Sequence, residues 1–173
     1  MFNQGSAYPN GPRNTCGCCA AGTIINKAGG KTNERQVVDY ALPRGLCDGD
    51  GFTGIRDIAQ ILSDAGIKSS TYGGFFIGPS MDKLAEMVEQ GRGVIIGVDA
   101  EAFYPGYGVI GGHAIVIESV VRDAKTGKIL DFVVADSNAK DKISVCNRIP
   151  VKVLERAFRL KGRQAVVTDD IIW

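Results

Sequence analysis

Histidine is almost absent from this chain: His113 is the single one in 173 residues. That excludes metal sites built from several imidazoles and makes His113 the one side chain whose ordinary pKa lies near neutrality. Charge of one sign is also lacking. Twenty Lys and Arg stand against 19 Asp and Glu, with no long run of either, so nothing marks a surface for nucleic acid or an anionic membrane. No apolar run has the length to span a bilayer, and the N-terminus lacks the basic-then-apolar pattern of a secretory signal, so a soluble chain is expected. Internal repeats and low-complexity tracts are missing too. At 45% hydrophobic content the expectation is one globular domain over residues 1–173 with a core of its own.

Cysteine is sparse and odd in number: Cys16, Cys18, Cys19, Cys47 and Cys146. Free thiols in a reducing compartment fit this better than a disulfide framework, with one disulfide left open. Cys16 and Cys19 form a Cys-x-x-Cys pair. A zinc site would need a second such pair, whereas Cys47 and Cys146 are isolated, so no metal and no other cofactor is expected. A thioredoxin-like redox pair would follow a buried strand; here a Pro/Gly loop comes first.

What the chain does have is Asn14-Thr15-Cys16-Gly17-Cys18-Cys19-Ala20-Ala21-Gly22-Thr23-Ile24-Ile25. Pro9, Gly11 and Pro12 forbid a regular element upstream, and small and aliphatic residues then run to Lys27. Cys16 is therefore expected at a helix N-terminus. Unpaired N–H groups and the positive end of the helix dipole favour an anion there, lowering a thiol pKa from about 8.5 to roughly 3.5–7.5. A thiolate attacks carbonyl carbon.

Gly111-Gly112-His113-Ala114-Ile115-Val116-Ile117 places the histidine at the start of an apolar strand, and the two glycines leave room for another group to approach. Residues 129–135 read as a further strand ending in Asp136-Ser137-Asn138. The polar turn 123–128 predicts an antiparallel hairpin that brings Asp136 beside His113. A thiol, an imidazole to take its proton and a carboxylate to hold that imidazole make a nucleophilic triad, Cys16-His113-Asp136, with Asn138 as the alternative orienting residue. The bland alternatives are a small buried Cys16, a core His113 and an ordinary Asp-Ser-Asn turn.

Helices are expected over 16–27, 33–41, 54–65, from Ser80 towards Gly91, and over 151–160. Strands are expected over 67–72, 94–99, 113–121, 129–135, 143–146 and 165–167. Asp48-Gly49-Asp50-Gly51-Phe52-Thr53-Gly54 contains Gly-x-Gly-x-x-Gly, but no strand precedes it and Phe52 spoils a calcium loop, so it reads as a turn into the next helix or a loop over a cleft. Residues 100–108 read as an irregular aromatic loop, either a groove wall or a cover for the core. The order of elements gives an α+β domain, a helical N-terminal half packed on a strand-rich, antiparallel C-terminal half.

Cys-Gly opening an apolar helix, Gly-His opening a strand and Asp closing the next strand resemble a papain-like cysteine peptidase over roughly residues 4–140. More narrowly the pattern is similar to the leader-peptidase domains of bacteriocin exporters and to papain-fold toxin domains of bacterial effectors. The resemblance implies a papain-like fold and a glutamine before the nucleophile that helps bind the oxyanion: Gln4, with Asn10, nearer to the family spacing, as the alternative. Aligned instead with the Cys-Gly-x-Cys of plant-type relatives, the nucleophile would be Cys19. The implied activity is hydrolysis of amide bonds in a protein or peptide substrate, by an effector active in a target-cell cytosol and matched by a cognate immunity protein. Glutamine deamidation or acyl transfer on the same triad, a non-catalytic papain-fold binding module, and a redox protein are the other readings.

Overall fold

A computed structural model describes residues 2–74, 77–138 and 146–173. Helix α1 (Cys16–Lys27) is followed by α2 (Glu34–Ala41), a short 3-10 turn at Leu42–Arg44, α3 (Ile55–Asp64), strand β1 (Ser69–Tyr72), α4 (Met81–Glu89) and β2 (Arg92–Asp99). After these come a single helical turn α5 (Ala100–Phe103), β3 (Gly112–Arg122), β4 (Ile129–Ala135), β5 (Cys146–Pro150), α6 (Val151–Leu160) and β6 (Ala165–Ile171). The part of the expected fifth strand at 143–145 lies outside the described residues.

Local chemistry sets the boundaries. Asn33 and Gln36 close a reciprocal capping box at α2, satisfying two backbone donors that a helix start leaves unpaired. Ser80 accepts from Lys83 N–H at 3.2 Å to open α4, and Gly66, at φ +83°, lets the chain leave α3. Asp48 Oδ1 takes the N–H groups of Asp50 and Phe52, both at 2.9 Å, so the glycine-rich stretch is a carboxylate-closed turn leading into α3.

All six strands join one antiparallel sheet in the order β1-β6-β2-β3-β4-β5. The apolar runs of β2, of Ile115 to Ile117 in β3 and of the first half of β6 lack alternation because both faces are buried there. Val94, Ile96 and Val98 of β2, with Ile115 and Ile117 of β3, pack in a cluster with Leu84 of α4 and Leu154 of α6. Ile95 and Val116, one residue out of step, pack with Ile24 of α1, Val38 of α2 and Leu62 of α3. The helices thus divide between the two faces, α1–α3 on one and α4 and α6 on the other. This refines the expected helical half against strand half: α4 and α6 are sheet-covering helices within the later, strand-rich part of the chain.

Residues 100–108 are less irregular than expected. Asp99 caps a helical turn by accepting from Ala102 N–H at 2.9 Å, Phe103 enters the core, and Tyr107 stays exposed. Among the described residues, no helix is long and apolar enough to cross a membrane.

Candidate active site

Cys16 is the first residue of α1, and Thr15 before it is wholly buried. A buried carboxylate holds this helix entrance in place. Glu34, at the start of α2, accepts from Thr15 Oγ1 at 2.5 Å, from Gly5 N–H at 2.5 Å, from Ala7 N–H at 3.1 Å and from Ser6 Oγ at 3.2 Å. Four donors onto two oxygens satisfy a charge that would otherwise be costly to bury. The sequence reading missed Glu34, which has no local motif beyond its place in a first helical turn.

The β3–β4 hairpin forms as expected, with Val116 opposite Ala135 and Ile117 opposite Val134. This register carries Asp136 back to the beginning of β3. His113 Nε2 donates to Asp136 Oδ1 at 2.7 Å, and Asn138 N–H donates to the same oxygen at 2.9 Å. Tyr104 donates its hydroxyl proton to the other oxygen, Oδ2. Its ring centroid lies 5.8 Å from that of His113. The carboxylate is almost completely buried, which raises its pKa, but the His113 hydrogen bond and charge, with Tyr104 and Asn138, bring the net shift below the usual carboxylate range.

With Nε2 committed to Asp136, Nδ1 is the ring nitrogen left for the thiol. Burial pushes the Cys16 pKa up, yet the hydrogen bond to His113 and its positive charge, helped by the Ala114 and Gly17 backbone, lower it overall. Burial pulls His113 down, and the bonds to Asp136 and Cys16 outweigh it, raising the imidazole to about 9. A thiolate and an imidazolium side by side is the state these shifts favour.

The other thiols differ. Burial pushes Cys18 up to about 12, and its Sγ lies 3.4 Å from Thr53 Oγ1. Burial also raises Cys19, with the Glu34 charge adding to the effect, and its Sγ lies 3.8 Å from Thr15 Oγ1. Cys19 therefore sits against Thr15 and near Glu34, where burial and a like charge disfavour a thiolate. Cys16, Cys18, Cys19 and Cys47 are all free.

Gln4 joins the two halves of the site. Its backbone N–H donates to Ser137 O at 2.9 Å, its Oε1 accepts from Ser137 Oγ at 3.2 Å, and its Nε2 donates to Arg13 O at 3.3 Å. Asn10 lies exposed in a turn, and Asn138 reaches the site through its backbone and through the Tyr104 hydroxyl. A cleft opens on Cys16 and His113, lined by Phe52, Thr53 and Gly54 and by Gly97, Lys161 and Gln164. The turn that the sequence left open as a cleft loop does line this cleft.

No family model matches this chain. No curated protein matches it either. Among the solved structures that do match is a Bacillus anthracis protein described provisionally as a C39-like peptidase; the superposition has a TM-score of 0.66 at 18% identity, covering 98% of this chain and 94% of that one. A match of that length with so little shared sequence is a match of architecture. This chain therefore has the α+β, papain-like fold of that C39-like peptidase structure.

Proposed function

We propose that this chain is a thiol peptidase with Cys16 as nucleophile, His113 as acid and base, and Asp136 as the group that orients His113. The observation that carries the reading is the chain of contacts Cys16–His113–Asp136–Tyr104, in which a buried thiol is made more acidic by an imidazole that a buried carboxylate holds. Cys16 Sγ attacks the amide carbonyl carbon, forming a C–S bond while the carbonyl electrons move to oxygen. The Cys16 backbone N–H, with Gln4 Nε2 turned from Arg13, donates to that oxyanion. His113 protonates the departing amine as the C–N bond breaks, leaving a thioester. Water then attacks the thioester, His113 takes its proton, and the acid product leaves with Cys16 restored.

The same machinery would release ammonia if a glutamine side chain entered the cleft. Similarity to effector toxin domains supports a protein target in a recipient-cell cytosol and a cognate immunity protein. Wild-type expression in a bacterial cytosol should then arrest growth while Cys16→Ala does not.

The direct test maps, by mass spectrometry, which cysteine a limiting amount of iodoacetamide modifies at neutral pH, in the parent and in His113→Ala. Selective modification of Cys16 that collapses without His113 is expected. Uniform slow modification of several cysteines would remove the basis for the proposal. Peptide libraries scored for new amino termini, beside an ammonia assay, separate peptidase from deamidase.

A further inference from the structure

Gly97 of β2 and Gly112 of β3 lie on adjoining strands at the floor of the cleft, and each is open for a reason. A Cβ at Gly97 would meet Lys161 Cγ at 3.2 Å, and a Cβ at Gly112 would meet Lys161 Cε at 2.6 Å and Nζ at 2.7 Å. The lysine stem, leaving the C-terminal end of α6, lies along both glycines and sets its ammonium over the residue next to His113. The room that the sequence left at Gly112 is taken by Lys161.

Lys161 is half-buried and, among the described residues, its ammonium makes no ion pair or hydrogen bond. No carboxylate lines the cleft with it; the other walls are apolar or neutral apart from Cys16 and His113. An ammonium held beside the cleft with no carboxylate partner is available to an incoming anion. Packing of the stem alone would be served equally by methionine.

We infer that Lys161 is a carboxylate-binding subsite, which gives the cleft a preference for substrates with an anionic group next to the bond that is cut. This rests on the peptidase reading for its role, though not for its binding chemistry. The carboxylate can come from an acidic side chain or from a chain terminus. In either case the ammonium, held by the glycine floor beside His113, attracts it into the cleft.

Two measurements test it on the full chain, with Lys161→Met removing the charge and Lys161→Arg restoring it. The first follows the amide NMR shifts of Gly97 and Gly112 during titration with N-acetylglutamate α-amide, whose carboxylate is on the side chain, and with N-acetylglutamine, whose carboxylate is terminal. The neutral N-acetylglutamine α-amide is the control. Saturable shifts with at least one anionic probe, absent for the control and lost in Lys161→Met but not Lys161→Arg, are expected; the better probe identifies the source. Shifts that are the same for the neutral probe, or persist in Lys161→Met, or never saturate, overturn the subsite.

The second compares the rates at which iodoacetate and iodoacetamide alkylate Cys16. The iodoacetate-to-iodoacetamide ratio should fall roughly two- to fivefold in Lys161→Met, the scale of a partly exposed charge pair, and recover in Lys161→Arg. An unchanged ratio counts against Lys161. If Cys16 proves unreactive while the anion-dependent shifts remain, the peptidase proposal fails and the carboxylate site stands.

Discussion

Tyr104 holds the oxygen of Asp136 that His113 leaves free. One carboxylate thus takes an imidazole on one oxygen and a phenol on the other, so it cannot swing away from the ring it orients. Tyr104→Phe removes a bond to a charged acceptor worth about 1.5–3 kcal/mol. We expect kcat to fall by roughly tenfold with little change in KM, because the phenol acts through Asp136 and leaves the cleft intact. Unaltered kcat would show that Asn138 N–H and His113 suffice to hold the carboxylate.

Replacement of Asp136 by asparagine keeps the shape of the site but removes the charge that favours the imidazolium. An amide oxygen can still accept from His113 Nε2, so the ring has a partner but its basicity drops. Activity should fall on the order of 10²- to 10⁴-fold, the range for general acid–base catalysis, while circular dichroism stays unchanged. Loss of the folded spectrum instead would mark Asp136 as a structural residue.

The pair Cys16–His113 also fixes a pH window. Above the lowered Cys16 pKa the thiolate is present; as pH rises through about 9, His113 gives up the proton that the leaving amine needs. The profile of kcat/KM should therefore be bell-shaped with its basic limb near 9, whereas alkylation of Cys16, which needs only a thiolate, should not decline there. In His113→Ala burial acts without its main opponent, so Cys16 alkylation should move to higher pH. Activity that stays level through the basic limb would contradict the assigned roles.

Glu34→Gln tests the support beneath the nucleophile. The glutamine offers one acceptor oxygen, and its NH₂ would face donors from Gly5, Ala7, Ser6 or Thr15. Urea denaturation should show a loss of about 1–3 kcal/mol, the cost of leaving buried donors unsatisfied. A stability equal to the parent's would mean that the segment 5–7 is held by other contacts.

Much of this molecule is legible before folding. Asn33 and Ser80 announce their helices, Cys16-Gly17 and Gly112-His113 announce a helix start and a strand start, and the polar turn at 123–128 predicts the hairpin that brings Asp136 beside His113. The division of helices between the two sheet faces is not legible, because β2 is apolar at nearly every position and so carries no period of two. Tyr104 and Glu34 escape for a different reason. Each owes its role to partners brought close only in the fold, Asp136 being 32 positions from Tyr104 and Gly5 being 29 from Glu34. Lys161 is similar: the glycines signalled a close approach, but not which group makes it.

The contact between Gln4 and Ser137 joins residues 133 positions apart. During synthesis, Gln4 and Cys16 leave the ribosome long before His113, and Asp136 and Ser137 come later still. Closing so distant a contact is among the slower events for a chain of this topology. The nascent protein therefore carries an ordinary thiol at Cys16 until the β3–β4 hairpin docks and brings His113 and Asp136 to it.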